Sequence, residues 1–562
     1  MTPITEKRVV VATFFLPYTV DFELQEKKKR AFTNTPSTIS KPSSSPATNT
    51  EDTHLVTNLI QSLAKHQQKE ELSEKEETLF DFTKPQELIQ PRSKQQRQQE
   101  IRKLTPLLSV IPSSRRPSID SAHVFADAPW SAKPCSAGNI GLNNALFSIQ
   151  ERLPNLAWVG TLGMPTDPLS EKTRDEIHAT FKEKYNSYPV MTSEAILDGH
   201  YNQYCKQVLW PYFHYVVRDD PKNMMSQGGP YNAYKSLNQQ FADTIVENYQ
   251  EGDIKKIPNA IIGFFLHIPF PSSELFRCIP PRKEILEAML QSDVIGFQTY
   301  SFARHFLQTC ARILSVETTP SGIQLDSHYC SVGIHPIGID ITSLNKKISD
   351  PTVTQWVTKL KEKYPDKKLI VARDKLDYIK GVRQKLLAFE QFLIRHPEWR
   401  GEVVLIQIAL STSEHNELRA HISDVVSRVN SKFSNISYQP IVFLHQDISF
   451  AQYLALLTCA DACLLTPLRD GMNLTSHEYI VCQRETHNPL ILSEFTGTYG
   501  SFGASVRVNP WDYRQVGDAI HEALSMSSEE KTDRWNELYK CIETNSAQHF
   551  ASNMITRLSK IY

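Results

Sequence analysis

Between residues 368 and 493 the chain alternates short apolar runs with amphipathic stretches of helical length, and this alternation constrains its fold more than any other feature. The spacing predicts strands over 368–372, 402–409, 440–444, 462–465 and 489–493, with helices over 382–395, 416–432, 450–459 and 474–483 between them. Strand and helix in strict turn are the signature of βαβ units, whose strands lie parallel. A second alternating series runs from about Ala128 to Ile339, and the run RVVVATFFL at 8–16 reads as a first, fully buried strand ahead of it. The expected fold class is therefore α/β, with two Rossmann-like halves, a cleft between them, and ligands at the carboxyl ends of strands.

The composition breaks once. From about Gln25 to Ser121 the chain is rich in Ser, Thr, Pro, Gln, Lys and Glu and poor in aromatics, too little apolar surface to offset its ordering entropy. The expected organisation is a first domain of 1–24 and 122–340, a disordered insert over 25–121, a second domain of 341–535, and a C-terminal helix over 536–562 that packs back on the first domain.

At 562 residues and 40% hydrophobic content the chain can bury a large core, and Lys plus Arg (61) nearly balance Asp plus Glu (62). No global field then draws it to nucleic acid or to an anionic membrane. Nine cysteines without a CxxC pair point to reduced thiols, with Cys459 and Cys463 in an apolar, helix-like run. The start of the chain lacks an apolar signal core and no long uncharged apolar stretch occurs, so the expected location is cytoplasmic.

Three segments carry candidate chemistry. Arg469-Asp470-Gly471-Met472-Asn473-Leu474 follows the apolar run 462–465 and opens a helix, a strand–glycine–helix geometry that aims backbone N–H groups at an anion such as a pyrophosphate. Asp470 is placed to accept from sugar hydroxyls, and Glu478, about two helical turns on, to reach a ribose. Taken alone, an Asp-Gly is equally an ordinary strand-to-helix turn. In Arg373-Asp374-Lys375-Leu376-Asp377-Tyr378-Ile379-Lys380-Gly381, Lys375 and Lys380 stand where charge-assisted donors would stabilise a departing diphosphate, or else form a solvated basic turn. The third segment, 263–271, ends an apolar strand in His267, and upstream Tyr201 and Trp210 belong to aromatic clusters that serve either as core or as the wall of a sugar site.

Taken together, FFLHIPFPSSELFRC, IGFQTYSFARHFL, HPIGID, RDKLDYIKGVRQKL, RDGMNLTSHEY and PLILSEFTGTYGS resemble the trehalose-6-phosphate synthase family, glycosyltransferase family 20, in family order. The resemblance implies a GT-B fold and retaining transfer of glucose from UDP-glucose to glucose 6-phosphate, without a metal or other cofactor. By position it implies that His267, Lys375, Lys380, Asp470, the amides of Gly471, Met472, Asn473 and Leu474, and Glu478 hold UDP-glucose, while Tyr201 and Trp210 face the acceptor sugar.

Four departures from the family pattern bear on activity. The first-strand turn that holds a phosphate-gripping Arg in active members reads Ala12-Thr13-Phe14-Phe15-Leu16-Pro17, and a second such Arg is replaced within Ser411-Thr412-Ser413-Glu414-His415. A His-Asp-Tyr-His strand with its helix is missing between Ile254 and Ala260, where too few residues remain for both. The donor-phosphate Arg is Lys375, which keeps charge and loses the planar fork. The start, the polar insert and Gly138-Asn139-Ile140-Gly141-Leu142 look more like the fungal regulatory and phosphatase-linked subunits, here without their phosphatase-like second half.

The leading expectation is a regulatory or weakly active subunit that joins trehalose-6-phosphate synthase and phosphatase partners. The alternatives are an active synthase and a glucosyltransferase with an unphosphorylated acceptor. Within the insert, Arg115-Arg116-Pro117-Ser118-Ile119 fits a basophilic kinase site, with Ser118 as the regulatory phosphosite.

Overall fold

The computed structural model of the protein describes residues 4, 5, 7–22, 128–135, 137–217, 228–248, 260–410 and 416–561. Ser118 and most of the insert, the 411–415 segment and residues 251–259, where the missing strand and helix are expected, lie outside them. The chain divides into two compact units, one of Met1–Thr19, Ala132–Asp167 and Ile177–Tyr562, the other of Val20–Ser131 and Pro168–Glu176. Of the second unit, 20–22, 128–131 and 168–176 are described. The second half expected from the sequence and most of the first fall in the first unit.

The first half begins with β1 (Val9–Phe15), β2 (Tyr18–Phe22), β3 (Trp130–Pro134), β4 (Leu156–Thr161) and β5 (Ser187–Pro189). Strands β1, β4 and β5 form a parallel sheet in the order β1-β4-β5, and β2 pairs with β3 in a small ribbon. A separate sheet holds β6 (Gly263–Leu266), β7 (Val294–Phe297), β8 (Glu317–Thr319), β9 (Gly322–Gln324) and β10 (Tyr329–Ile334) in the order β6-β7-β10-β9-β8. Its first three members are parallel.

The expectation of a fully buried first strand is corrected here. β4 is buried along its whole length, whereas β1 has Val10 39% exposed and Ala12 exposed as well. Among the described residues β1 has a neighbour on one side only, and β6 is likewise an edge, with Ile262 ahead of it 49% exposed. No strand among the described residues joins the two edges. A strand's apolar run is buried on both faces only when helices or loops cover the sheet there, and among the described residues nothing covers Val10 and Ala12 fully.

The second half follows the alternation closely, with β11 (Lys368–Lys375), β12 (Val403–Leu410), β13 (Ile441–Leu444), β14 (Ala462–Leu465), β15 (Leu490–Ser493) and β16 (Val506–Val508). All are parallel, in the order β13-β12-β11-β14-β15-β16. Helices Val382–Arg395, Asn416–Phe433, Phe450–Cys459 and Leu474–Cys482 connect them. Cys459 ends a helix while Cys463 lies on β14, so the two do not share one helical run. Because β12 and β13 lie on one side of β11 and β14 to β16 on the other, the order reverses between β11 and β14, which opens a crevice at their carboxyl ends.

Local chemistry fixes these ends. Gly381 has φ +65° and its Cα packs so close to the Thr466 carbonyl that a Cβ has no room, so only glycine serves there. Lys385, wholly buried, pairs with Asp374 at the end of β11 across 2.5 Å, and Gln407 of β12 donates to the same Asp374 oxygen at 3.1 Å. The helix start at Phe450 carries a capping box between Ser449 and Gln452. The expected boundary at 535/536 falls inside helix Ser528–Thr544, and it is helix Ala547–Ser559 that returns to the first half, where Arg557 donates to Ser331 Oγ and the Val332 carbonyl of β10.

Candidate active site

The crevice between β11 and β14 gathers the donor-side candidates. The loop after β11 is tied to the turn after β14 by Leu468 N–H to the Ile379 carbonyl (2.7 Å) and by Thr466 Oγ1 to the Gly381 carbonyl (3.2 Å). This brings Lys380 Nζ to Asp470 Oδ2 at 3.0 Å, and Asn473 Nδ2 donates to the same oxygen at 3.2 Å. Burial works against the Lys380 charge, but Asp470, with Asp374 and Asp377 beyond it, outweighs burial and raises its pKa. Lys375 is pushed the other way, by desolvation and by the nearby charges of Lys380, Lys206 and Arg373. Four cations around one strand end suit an anion.

The amide nest is only partly open, which corrects the expectation of free N–H groups. Gly471 N–H donates to Asp470 Oδ1 (3.0 Å) and Asn473 N–H to Thr498 Oγ1 (3.0 Å). Asn473 also caps the helix through Ser476 N–H (3.0 Å), and Met472 Sδ accepts from Thr498 Oγ1 (3.1 Å). Leu474 lies against Gly141 of the first half. Gly471 packs on the His267 carbonyl with no room for a Cβ, so the two motifs meet backbone to backbone. Burial pushes the His267 pKa down to about 4, leaving the imidazole neutral at neutral pH.

Glu478 stands apart from this cluster. Tyr453 donates its phenol to Glu478 Oε2 at 2.6 Å, and the Arg373 guanidinium lies 4.8 Å from the Tyr453 ring. Burial raises the Glu478 pKa, against the pull of Tyr453, Arg373 and Lys347.

On the first half, Gly199–Leu209 is a π-helix that runs directly into helix Trp210–Phe213. Such segments are rare and cluster at functional sites. Trp210 reaches across the halves, donating Nε1–H to Asp377 Oδ2 at 3.2 Å, and its ring packs tilted against His214 with centroids 4.0 Å apart. Tyr201 does not line an open wall. Its ring stacks on Phe14 (4.5 Å, 16°), meets Phe15 edge-on (5.5 Å) and has Lys206 Nζ 4.5 Å from its centroid. Phe14 and Phe15 end β1, within the 12–17 turn where the family resemblance leads one to expect a phosphate-gripping Arg.

Asp377, Arg373, Tyr453, Thr498 and Lys206 were not singled out from the sequence as site residues. Asp377 and Arg373 lie inside the quoted 373–381 segment, so strand-end position was an available signal for them. Tyr453 sits in an ordinary helix and Lys206 in the π-helix, and neither carries a sequence signal of its own.

Among the described residues a metal has one candidate place, away from this crevice. His396, Glu398 and His521 bring three ligand atoms within 4.8 Å of one another. Their ring nitrogens already have partners: His396 Nε2 lies 3.1 Å from Asp518 Oδ1, and Trp399 Nε1–H donates to His521 Nδ1 at 3.0 Å. The imidazoles stack at 4.2 Å, and Arg395 forks onto Asp518 with both bonds at 3.0 Å. This arrangement staples helix Val382–Arg395 to helix Tyr513–Ser525, roughly 20 Å from Lys380 along a helix rising 1.5 Å per residue. No helix among the described residues is long and apolar enough to cross a membrane.

The sequence pattern of glycosyltransferase family 20 matches residues 110–560. The trehalose synthase complex regulatory subunit TPS3 of Saccharomyces cerevisiae is 41% identical over 459 residues, 78% of this chain and 43% of that protein. The UDP-forming alpha,alpha-trehalose-phosphate synthase of Pichia angusta is 39% identical over 430 residues, 72% of this chain and 89% of that protein. The solved N-terminal domain of Candida albicans trehalose-6-phosphate phosphatase superposes with a TM-score of 0.69 at 36% identity, covering 74% of this chain and 93% of that one. The chain spans about half the length of the regulatory and large-subunit relatives it matches, between 41% and 53%. The two α/β halves are those of the GT-B fold, and the match extends from the first half to the last helix: the chain belongs to glycosyltransferase family 20.

Proposed function

We propose that the chain is a regulatory subunit of a trehalose-6-phosphate synthase and phosphatase complex, one that binds UDP-glucose through its second half and handles glucose 6-phosphate poorly. The observation that carries this reading is the stack of Phe14 on Tyr201, with Phe15 edge-on. A phosphate brought to these rings meets no positive charge from that turn, whose one hydroxyl, Thr13, already donates to the Phe15 carbonyl, and the negative faces of the rings disfavour it. Lys206, exposed and single, is a weaker grip than the forked guanidinium the family uses there. On the donor side, Lys380, Asp470 and Asn473 are already gathered where a diphosphate and a sugar would lie. Kinship with a regulatory subunit supports membership of a complex.

A second reading, an active synthase, is favoured by Trp210 meeting Asp377 beside Lys380, which keeps an acceptor-side wall next to the donor loop. One experiment separates them. UDP release from UDP-glucose is measured with and without glucose 6-phosphate, alongside calorimetry of each ligand. The proposed function expects UDP binding without phosphate-sugar-dependent release. Formation of trehalose 6-phosphate at the rate of a working synthase would overturn it, and release stimulated by an unphosphorylated sugar would mark a different acceptor.

A further inference from the structure

Glu478 offers two carboxylate oxygens, and one is already engaged. Tyr453, only 2% exposed, comes from helix Phe450–Cys459 and donates to Glu478 Oε2 on helix Leu474–Cys482 at 2.6 Å. A bond this short to a carboxylate is charge-assisted and holds the carboxylate plane in one orientation. Tyr453 is itself held. The Arg373 guanidinium lies 4.8 Å from its ring centroid and 3.7 Å from Asp447, and the buried Arg373 Nε has no hydrogen-bond partner. Arg373 ends the apolar part of β11, so the Tyr453–Glu478 pair is anchored at the same strand end that carries Lys375 and the loop to Lys380.

We propose that Tyr453 is a positioning residue for ribose recognition: it fixes the Glu478 carboxylate so that Oε1 accepts a hydrogen bond from a ribose hydroxyl of bound uridine diphosphate. The inference rests on the reading that this half binds the nucleotide. A glutamate has several rotatable bonds, and an unheld carboxylate must be ordered each time a ligand binds. Tyr453 does that ordering beforehand and leaves Oε1 without a side-chain donor among the described residues.

The test compares UDP with 2′-deoxy-UDP and 3′-deoxy-UDP by calorimetry on the full chain and on Tyr453→Phe. The wild type should prefer UDP over one of the two deoxy analogues by about tenfold or more, the worth of one hydrogen bond to a charged group. In Tyr453→Phe that preference should fall toward unity while affinity for the same deoxy analogue is unchanged, a split that a purely structural hydroxyl would not produce. Should the phenylalanine variant fold poorly, Tyr453→Met fills the space with a flexible apolar chain and should show the same collapse of preference. An unchanged preference in a folded variant overturns the role of Tyr453 alone. Failure of the wild type to bind UDP at all overturns the nucleotide reading and this inference with it.

Discussion

Trp210 Nε1–H donates to Asp377 Oδ2 while Asp377 Oδ1 accepts the Ile379 N–H, so one carboxylate both builds the turn before Lys380 and ties that turn to the first half. Replacing Asp377 by Ala removes both bonds. We expect a loss of about 1–3 kcal/mol in urea denaturation and weaker UDP binding, because the Lys380 turn loosens. Trp210→Phe spares the turn and should cost less than Asp377→Ala in both measurements; equal costs would mean that the turn bond contributes nothing.

The buried Lys385–Asp374 pair predicts a strongly non-additive cycle. Lys385→Met alone leaves Asp374 and Gln407 Nε2 facing each other without the ammonium, a break expected to cost about 3–5 kcal/mol. Adding Asp374→Leu should recover most of it. Additive costs in chemical denaturation would show that the two side chains do not depend on one another.

Acid should destabilise the chain earlier than carboxylates alone would. Burial lowers His214, His267 and His477 to about 4, against an ordinary value of 6.5. The unfolded chain binds protons in that interval that the folded chain refuses, so their stabilisation is complete above pH 6.5 and is lost as pH falls toward 4. His214 and His477, each 3% exposed, contribute on the order of 3 kcal/mol apiece to that loss, and the partly exposed His267 contributes less. Urea midpoints taken at intervals between these limits should fall steadily, and His477→Gln should flatten the slope; a flat profile would contradict the buried neutral assignment.

The edges of β1 and β6, unpaired among the described residues, predict self-association. Val10 and Ile262 present apolar side chains beside unpaired strand edges, the pattern that natural sheets usually blunt with charge. Val10→Lys should shift size-exclusion profiles toward monomer and raise soluble yield. A wild-type chain that runs as a monomer at high concentration would show that the edges are protected.

The second half was legible because parallel strands buried on both faces must be apolar throughout, and the helices between them punctuate that pattern. Helices Val382–Arg395 and Phe450–Cys459 and strand β14 coincide with the sequence expectation to the residue. β11 runs past its expected end because Arg373, Asp374 and Lys375 go on pairing with Ile408, Ala409 and Leu410, and the polar Asp374 tolerates burial only through Lys385, a partner no local pattern reveals. The exposure of β1 was illegible for the same reason, since burial belongs to the neighbour and not to the strand. Lys380, Asp470 and Asn473 were readable as loop residues at strand ends. The Tyr453–Glu478 bond, between two helices, was not.

The π-helix of Gly199–Leu209 sets the angular phase between Tyr201 and Trp210. Lys206 lies over Tyr201 and Gln203 Nε2 reaches Asp198 Oδ2 at 2.8 Å, both across five positions. At 3.6 residues per turn the fifth residue points about 140° away, so neither contact exists in an α-helix. Deleting Gln207, which lies beyond both contacts, would return the segment to ordinary winding and part Lys206 from Tyr201 and Gln203 from Asp198, with every aromatic side chain unchanged. Chain length within this segment, and not the identity of its rings, thus governs which aromatic surface an incoming sugar would encounter.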